Sequence, residues 1–256
     1  MVPVSDLVFH QRLGRVLEHL GDEGFWVALA GFLRHDAAFD SWVALIFRPH
    51  QPPHLLGVGG ENLLDEALFT EYVQSFYAID PYYLFSLGDF VPGLYRLDEV
   101  APEYFRQTEY YQRYFALNVV ADEVQFLLPM PPHGTLSFSL GCHHRFTNEE
   151  MGWLCLLLPW LLPLMKIAVE TQILASGIVP NQALSLETQL RQKGTPPLTD
   201  REIQIALLLL AGHSSKAVAA RLNISPETVK VHRRNLYEKL GVSCQAEVFA
   251  LFITQG

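Results

Sequence analysis

Lys230, Val231 and Arg234 stand close together, just after Ser225-Pro226-Glu227. Ser225 is a residue type that caps a helix N-terminus, Pro226 suits the first helical position, and Glu227 complements the positive end of the helix dipole. At about 100° per residue, Val229, Leu236 and Leu240 fall on one narrow apolar stripe that must face a core. Lys230, Val231 and Arg234 come out on the opposite side, with Glu227 and Glu238. Cations in the first turns of such a helix suit the reading of base edges in a DNA major groove. Arg233 lies nearer the apolar stripe. With Lys216 it suits phosphate contact or an internal ion pair, for instance with Glu202. Thr228, in the first turn, completes the candidate DNA-contacting set.

A second concentration of chemistry lies between Phe69 and Phe115, where tyrosines and phenylalanines cluster. Rings with an apolar body and a polar tip suit a pocket that grips and orients an organic molecule. Asp80, Tyr72, Tyr77, Tyr95 and Trp42 are the candidate pocket residues. Asp80 has a second, structural reading, since Asp followed by Pro81 is a common helix start.

Other chemistry is excluded residue by residue. In Cys142-His143-His144, neighbouring strand residues point to opposite faces, so the two histidines do not converge on one ion. No GxSxG elbow, HExxH pair or GxxxxGK[ST] loop occurs in the chain. A phosphoacceptor receiver needs a lysine to partner the phosphoryl charge, and none precedes Lys166. The chain is therefore read as a non-enzyme, with no cofactor and no metal site.

The DNA-facing residues need a scaffold, and the spacing predicts one. Thr199 caps a helix that Gly212 stops. Ser214 or Ser215 caps a second through Leu222, and Asn223, which tolerates a left-handed turn, leads into the third. Helix, short turn, helix is the geometry that lays its second member in a major groove of double-stranded DNA. A final helix, Gln245 to Thr254, is apolar on two sides and calls for two partners. One is the module itself; the other is the same helix of a second subunit in a homodimer, or else the large domain.

Upstream, helices are expected over Ser5–Leu20, Gly24–Phe39, Leu63–Tyr77 and Pro102–Leu117. Strands are expected at Trp42–Phe47, Leu55–Val58, Glu123–Pro129 and Thr135–Leu140, and Thr147 with Glu150 forms a capping box before a long apolar helix. This gives an α+β chain: an N-terminal α-β-α sandwich with an antiparallel sheet of the PAS or GAF kind over 1–175, a linker over 176–197, and a C-terminal all-α helix-turn-helix domain of four helices over 198–256.

Composition fits this division. The net charge of −9 opposes nucleic-acid binding by the chain as a whole, but residues 196–256 hold 7 basic and 5 acidic side chains against 11 and 22 before them. The acidic body confines phosphate contact to the tail. Three scattered cysteines form neither a disulfide framework nor a zinc pattern. Residues 1–20 read as an amphipathic helix, not a signal peptide. The apolar run Met151–Met165 is shorter than the ~20 residues of a membrane span and contains two prolines. A cytoplasmic protein without a membrane partner is expected.

Residues 198–253 resemble the LuxR-type (FixJ- or NarL-type) helix-turn-helix. The resemblance rests on Leu198-Thr199-Asp200-Arg201-Glu202, Lys216-Ala217-Val218-Ala219-Ala220-Arg221-Leu222, Ile224-Ser225, Thr228-Val229-Lys230-Val231-His232 and Lys239-Leu240-Gly241-Val242. It implies four helices, base contacts from Lys230, Val231 and Arg234, and dimerisation through the last helix. Tyr77-Ala78-Ile79-Asp80-Pro81 is similar to the segment of acyl-homoserine-lactone receptors whose Asp accepts the ligand amide N–H; that likeness implies a second pocket position at Tyr95. The expectation is a transcriptional regulator whose N-terminal domain senses a small organic molecule, the alternative being a dimerisation or docking domain.

Overall fold

The computed structural model describes residues 7–49, 51–60, 66–116, 121–176 and 186–251. Its elements in chain order are α1 (Leu7–Glu18), α2 (Phe25–Leu33), β1 (Ser41–Arg48), β2 (Gln51–Gly60), α3 (Glu66–Gln74), α4 (Pro81–Ser86), β3 (Gly93–Arg96) and α5 (Leu97–Val100). There follow β4 (Asp122–Met130), β5 (Gly134–Cys142), α6 (Asn148–Ser176), α7 (Leu186–Lys193), α8 (Asp200–Leu210), α9 (Ser215–Leu222), α10 (Pro226–Leu240) and α11 (Gln245–Ala250). The strands make one antiparallel sheet in the order β2-β1-β5-β4-β3.

Strand alternation gives the sheet two faces. Trp42, Ala44 and Ile46 of β1, Val124 and Phe126 of β4, and Leu136, Phe138 and Leu140 of β5 enter one apolar core with α1, α2 and α6. The intervening residues Glu123, Gln125, Ser137 and Ser139 are buried on the opposite face. That face is roofed by α3, α4 and the aromatic segment 105–115. In the same cluster lie Leu186 and Leu190 of α7, Ile203 and Leu210 of α8, and Val248 and Phe249 of α11. The tail thus packs on the tyrosine side of the sheet.

Several expectations change. Pro102–Leu117 is not one helix: a 3₁₀ turn at Phe105–Gln107 and a π-helical turn at Tyr111–Phe115 replace it. Thr108 explains the break, because its extended backbone leaves the helix and its hydroxyl bonds both Phe105 O and Tyr111 N. The second helix stops at Leu33, well short of Phe39. β3 was not anticipated, and β2 is longer than expected. Within the expected linker, α7 is packed: Leu186 and Leu190 are buried and Gln189 donates to Ser75 Oγ at 2.9 Å. Residues 177–185 of that linker and 252–254 of the expected last helix lie outside the described residues.

α6 runs through Pro159 and Pro163, both on its exposed side. Among the described residues it is the one helix long and apolar enough to cross a membrane. Its inner side, Leu154, Leu157, Leu161 and Met165, packs into the core instead. The two halves also meet backbone to backbone, where Tyr104 N donates to Gly212 O at 3.0 Å. Gly212 has φ +100°, and a Cβ there would lie 2.7 Å from Phe105 N. Only glycine permits that approach.

Candidate nucleic-acid interface and sensor pocket

Local chemistry builds the DNA-facing unit. The Thr199 hydroxyl accepts from Glu202 N while Glu202 reaches back to Thr199 N, a reciprocal cap on α8. The Ser214 hydroxyl accepts from Ala217 N to start α9, and the Ser225 hydroxyl accepts from Thr228 N to start α10. Between α9 and α10, Asn223 takes φ 53°, ψ 49°, the left-handed turn its side chain tolerates.

α10 turns Val229 and Leu236 inward and leaves Lys230, Val231 and Arg234 exposed. Val231 is 48% exposed, high for an apolar side chain, and lies between the two cations. Among the described residues Arg234 is tethered by a surface pair with Glu238 at 3.8 Å, worth little in water. Lys216 is exposed in the first turn of α9, while Thr228 and Arg233 are half-exposed on α10. All six candidate DNA contacts therefore belong to one helix pair. Arg233 does not pair with Glu202, because Lys239 occupies that carboxylate at 2.8 Å and holds its pKa below the usual range against burial. The final helix, expected to meet a second subunit, inserts Val248 and Phe249 into the interface within the chain, and Phe249 stacks on Phe76 at 5.0 Å.

The pocket residues separate into two groups. Asp80 is 4% exposed, and its carboxylate is the hub of the roof. Oδ1 accepts from Tyr82 N at 2.7 Å and Tyr83 N at 3.4 Å, so the helix-start reading holds for α4. Oδ2 accepts from the hydroxyls of Tyr72 at 3.0 Å and Tyr110 at 3.1 Å. Burial raises the Asp80 pKa, opposed by these hydrogen bonds. Tyr72 and Asp80 line a void of about 30 Å³ with Tyr110, Tyr114, Glu123, Gln125, Ser137 and Ser139.

Trp42, Tyr77 and Tyr95 are not in that lining. Trp42 sits on the opposite face of the sheet against Phe138 and beneath Gly57 and Gly59. Tyr95 packs on Phe85 at 4.8 Å and donates to Val91 O. Tyr77 is buried edge-on to Tyr83. Sequence reasoning missed Glu123, Gln125, Ser137 and Ser139, although their period-two spacing in two apolar strands was a signal.

In the remaining motif, β5 ends at Cys142, so His143 and His144 lie beyond the strand. Cys142 is buried with its thiol pushed up to about 12, and His143 pairs with Asp40 at 2.6 Å. Among the described residues no three His, Cys, Asp or Glu side chains converge to hold a metal.

Known proteins resemble different parts of the chain. The family described as bacterial regulatory proteins, luxR family, matches residues 196–252. An HTH-type transcriptional regulator from the exeN 3′ region of Aeromonas salmonicida is 32% identical over 154 residues, covering 57% of this chain and 79% of that protein. The transcriptional regulatory protein UhpA of Escherichia coli K12 is 56% identical over 52 residues, 20% of this chain and 26% of its own. The solved structure of the VqsR LBD domain from Pseudomonas aeruginosa is 38% identical with a TM-score of 0.59, covering 64% of this chain and 98% of that one. A fifth of the chain is thus shared with regulators such as UhpA, and the sheet-bearing part with VqsR. By the extent of the Aeromonas match and the residues of its own tail, the chain belongs to the LuxR family of bacterial transcriptional regulators.

Proposed function

We propose that this regulator reads double-stranded DNA through α10, with Lys230, Val231 and Arg234 at base edges and Lys216, Thr228 and Arg233 at the backbone, under the control of a small organic molecule sensed beneath the tyrosines. The observation that carries the DNA reading is the opposition of buried Val229 and Leu236 to exposed Lys230, Val231 and Arg234 on one triply capped module. Arg234→Ala is expected to weaken specific binding by about 1–3 kcal/mol and relax sequence preference, measured by gel shift on genomic fragments. Equal loss on random DNA would make Arg234 a phosphate contact. Lys216→Ala should weaken all sequences alike and flatten the salt dependence by about one unit.

The sensor reading is supported by buried polar groups under an aromatic roof and by the tail's position on that roof. Tyr114 contacts Phe76, and Phe76 stacks on Phe249 of α11. A ligand that moves Tyr114 would act one ring away from the DNA-binding half. Differential affinity for the docked and released arrangements would then shift their populations. On α6 the exposed side chains Leu156, Pro159, Pro163 and Ile167 form an apolar ridge that suits a second copy of the chain. A homodimer on a two-fold operator follows, and sedimentation of the free protein reads it directly. The acidic body and basic tail fit a cytoplasmic protein whose DNA contact stays on α9 and α10.

A further inference from the structure

The void beneath the tyrosines carries two carboxylates, Asp80 and Glu123, and no cationic side chain in its lining. The two acids are not equivalent. Both oxygens of Asp80 are occupied, by two backbone amides and two tyrosine hydroxyls. Glu123 is 7% exposed, and only its Oε1 is engaged, by Gln125 Nε2 and the Ser139 hydroxyl. Oε2 has no hydrogen-bond partner among the described residues. The hydroxyl of Tyr114, a residue 5% exposed, has none either, and both side chains border the void. The neighbouring guanidinium of Arg96 is committed to Asp122 and to Phe146 O. A buried carboxylate with one oxygen open, beside a second that is saturated, lacks a counter-charge.

We propose that this void receives the primary ammonium head of a small organic cation, bound by Glu123 Oε2 and by the hydroxyl of Tyr114, whose ring is held between Tyr72 and Tyr110. The inference rests on the sensor reading and names the ligand's chemistry. An opposite charge relieves both acids at once. At about 30 Å³ the void holds roughly two water-sized groups, enough for methylammonium without rearrangement. A longer cation must displace the roof rings, the same rings that lead to Phe249.

Proton competition gives the proposal a signature. The titratable groups facing Glu123 are Asp80 ahead of α4, Asp122 beside it on β4, Tyr72 of α3, Tyr82 of α4, and Tyr110 and Tyr114 of the aromatic segment. Burial and the charge of Asp80 push Glu123 up to about 8. An ammonium head must displace that proton, so affinity should rise about 50-fold between pH 6 and pH 8.

The test uses the full chain, thermal shift and calorimetry at pH 6, 7 and 8. Methylammonium and n-butylammonium chloride are compared with sodium chloride at equal ionic strength, with 1-butanol, and with N-butanoyl-homoserine lactone. The expected result is a saturable rise in Tm with both ammonium probes, none with butanol, and the stated pH trend. Glu123→Gln keeps an amide where the carboxylate was and should abolish the response with its circular dichroism unchanged. Tyr114→Phe should weaken it several-fold. If the lactone shifts the wild type and Glu123→Gln alike while the ammonium probes do nothing at pH 8, the cation assignment is overturned and the sensor reading stands. If neither class shifts the wild type, both fall.

Discussion

β1, β4 and β5 build two unlike interiors from alternate residues of the same strands. On one side Trp42, Phe126 and Phe138 meet α1, α2 and α6 in an apolar core with few hydrogen bonds to satisfy. On the other, Glu123, Gln125, Ser137 and Ser139 are linked by hydrogen bonds and closed over by tyrosines. Apolar contacts are many and individually replaceable, whereas a buried polar network fails when one member is lost. The first face is built for stability, and the second is the one to which the proposed sensing is assigned. The tail docks on the polar, tyrosine-roofed side.

The sharpest way to break this contrast is Phe138→Ala. Phe138 is fully buried, with the rings of Trp26, Trp42 and Phe126 at 5.5, 6.0 and 6.2 Å. Its loss should cost about 3–5 kcal/mol in urea unfolding, equally at pH 6 and pH 8. A loss that varied strongly with pH would show that the two faces are not separate. On the polar face the sign reverses. Glu123 has a folded pKa near 8, above its usual 4.5, so the native state keeps a proton that the unfolded chain releases. That stabilisation is fully present below about pH 4.5 and is lost as pH climbs through 8. Wild type should lose about 3 kcal/mol between pH 5 and pH 8 through Glu123. Glu123→Gln should flatten that profile and be the more stable protein at pH 8, with Asp80, also raised, leaving a residual slope of the same sign. The smallest effect belongs to the docking contact. Phe249→Ala should weaken docking by about 0.5–1.5 kcal/mol through the lost stacking on Phe76 alone, beyond what the ring's burial contributes. It is expected to raise DNA affinity several-fold in the absence of ligand, by titration on the operator.

The tail was readable in the sequence because its signals are local. Thr199, Ser214, Ser225 and Asn223 each act on backbone a few residues away, and Gly241 ends α10 at φ 67° as a helix-ending glycine should. Asp80 was readable as the start of α4, but not as the acceptor of two tyrosine hydroxyls from residues distant in sequence. Trp42 was not. Ser41–Phe47 is apolar at nearly every position after Ser41, so period two cannot say which side chains share a face. Glu123 and Ser139 alternate with apolar neighbours, a pattern equally suited to a wet sheet face. Only the roof, assembled from residues distant in sequence, makes that face an interior. The docking of Phe249 was legible only as a helix with one apolar side too many.

Gly212 gives the arrangement a genetic consequence. The two halves touch there along bare main chain, so a single methyl group would act as a doorstop. Under the proposed sensor reading, with ligand releasing the tail, strains carrying any other residue at that codon should bind the operator with or without ligand, provided the tail itself still folds. Loss of obedience to the signal, with the ability to grip an operator retained, would then map to a position that contacts neither.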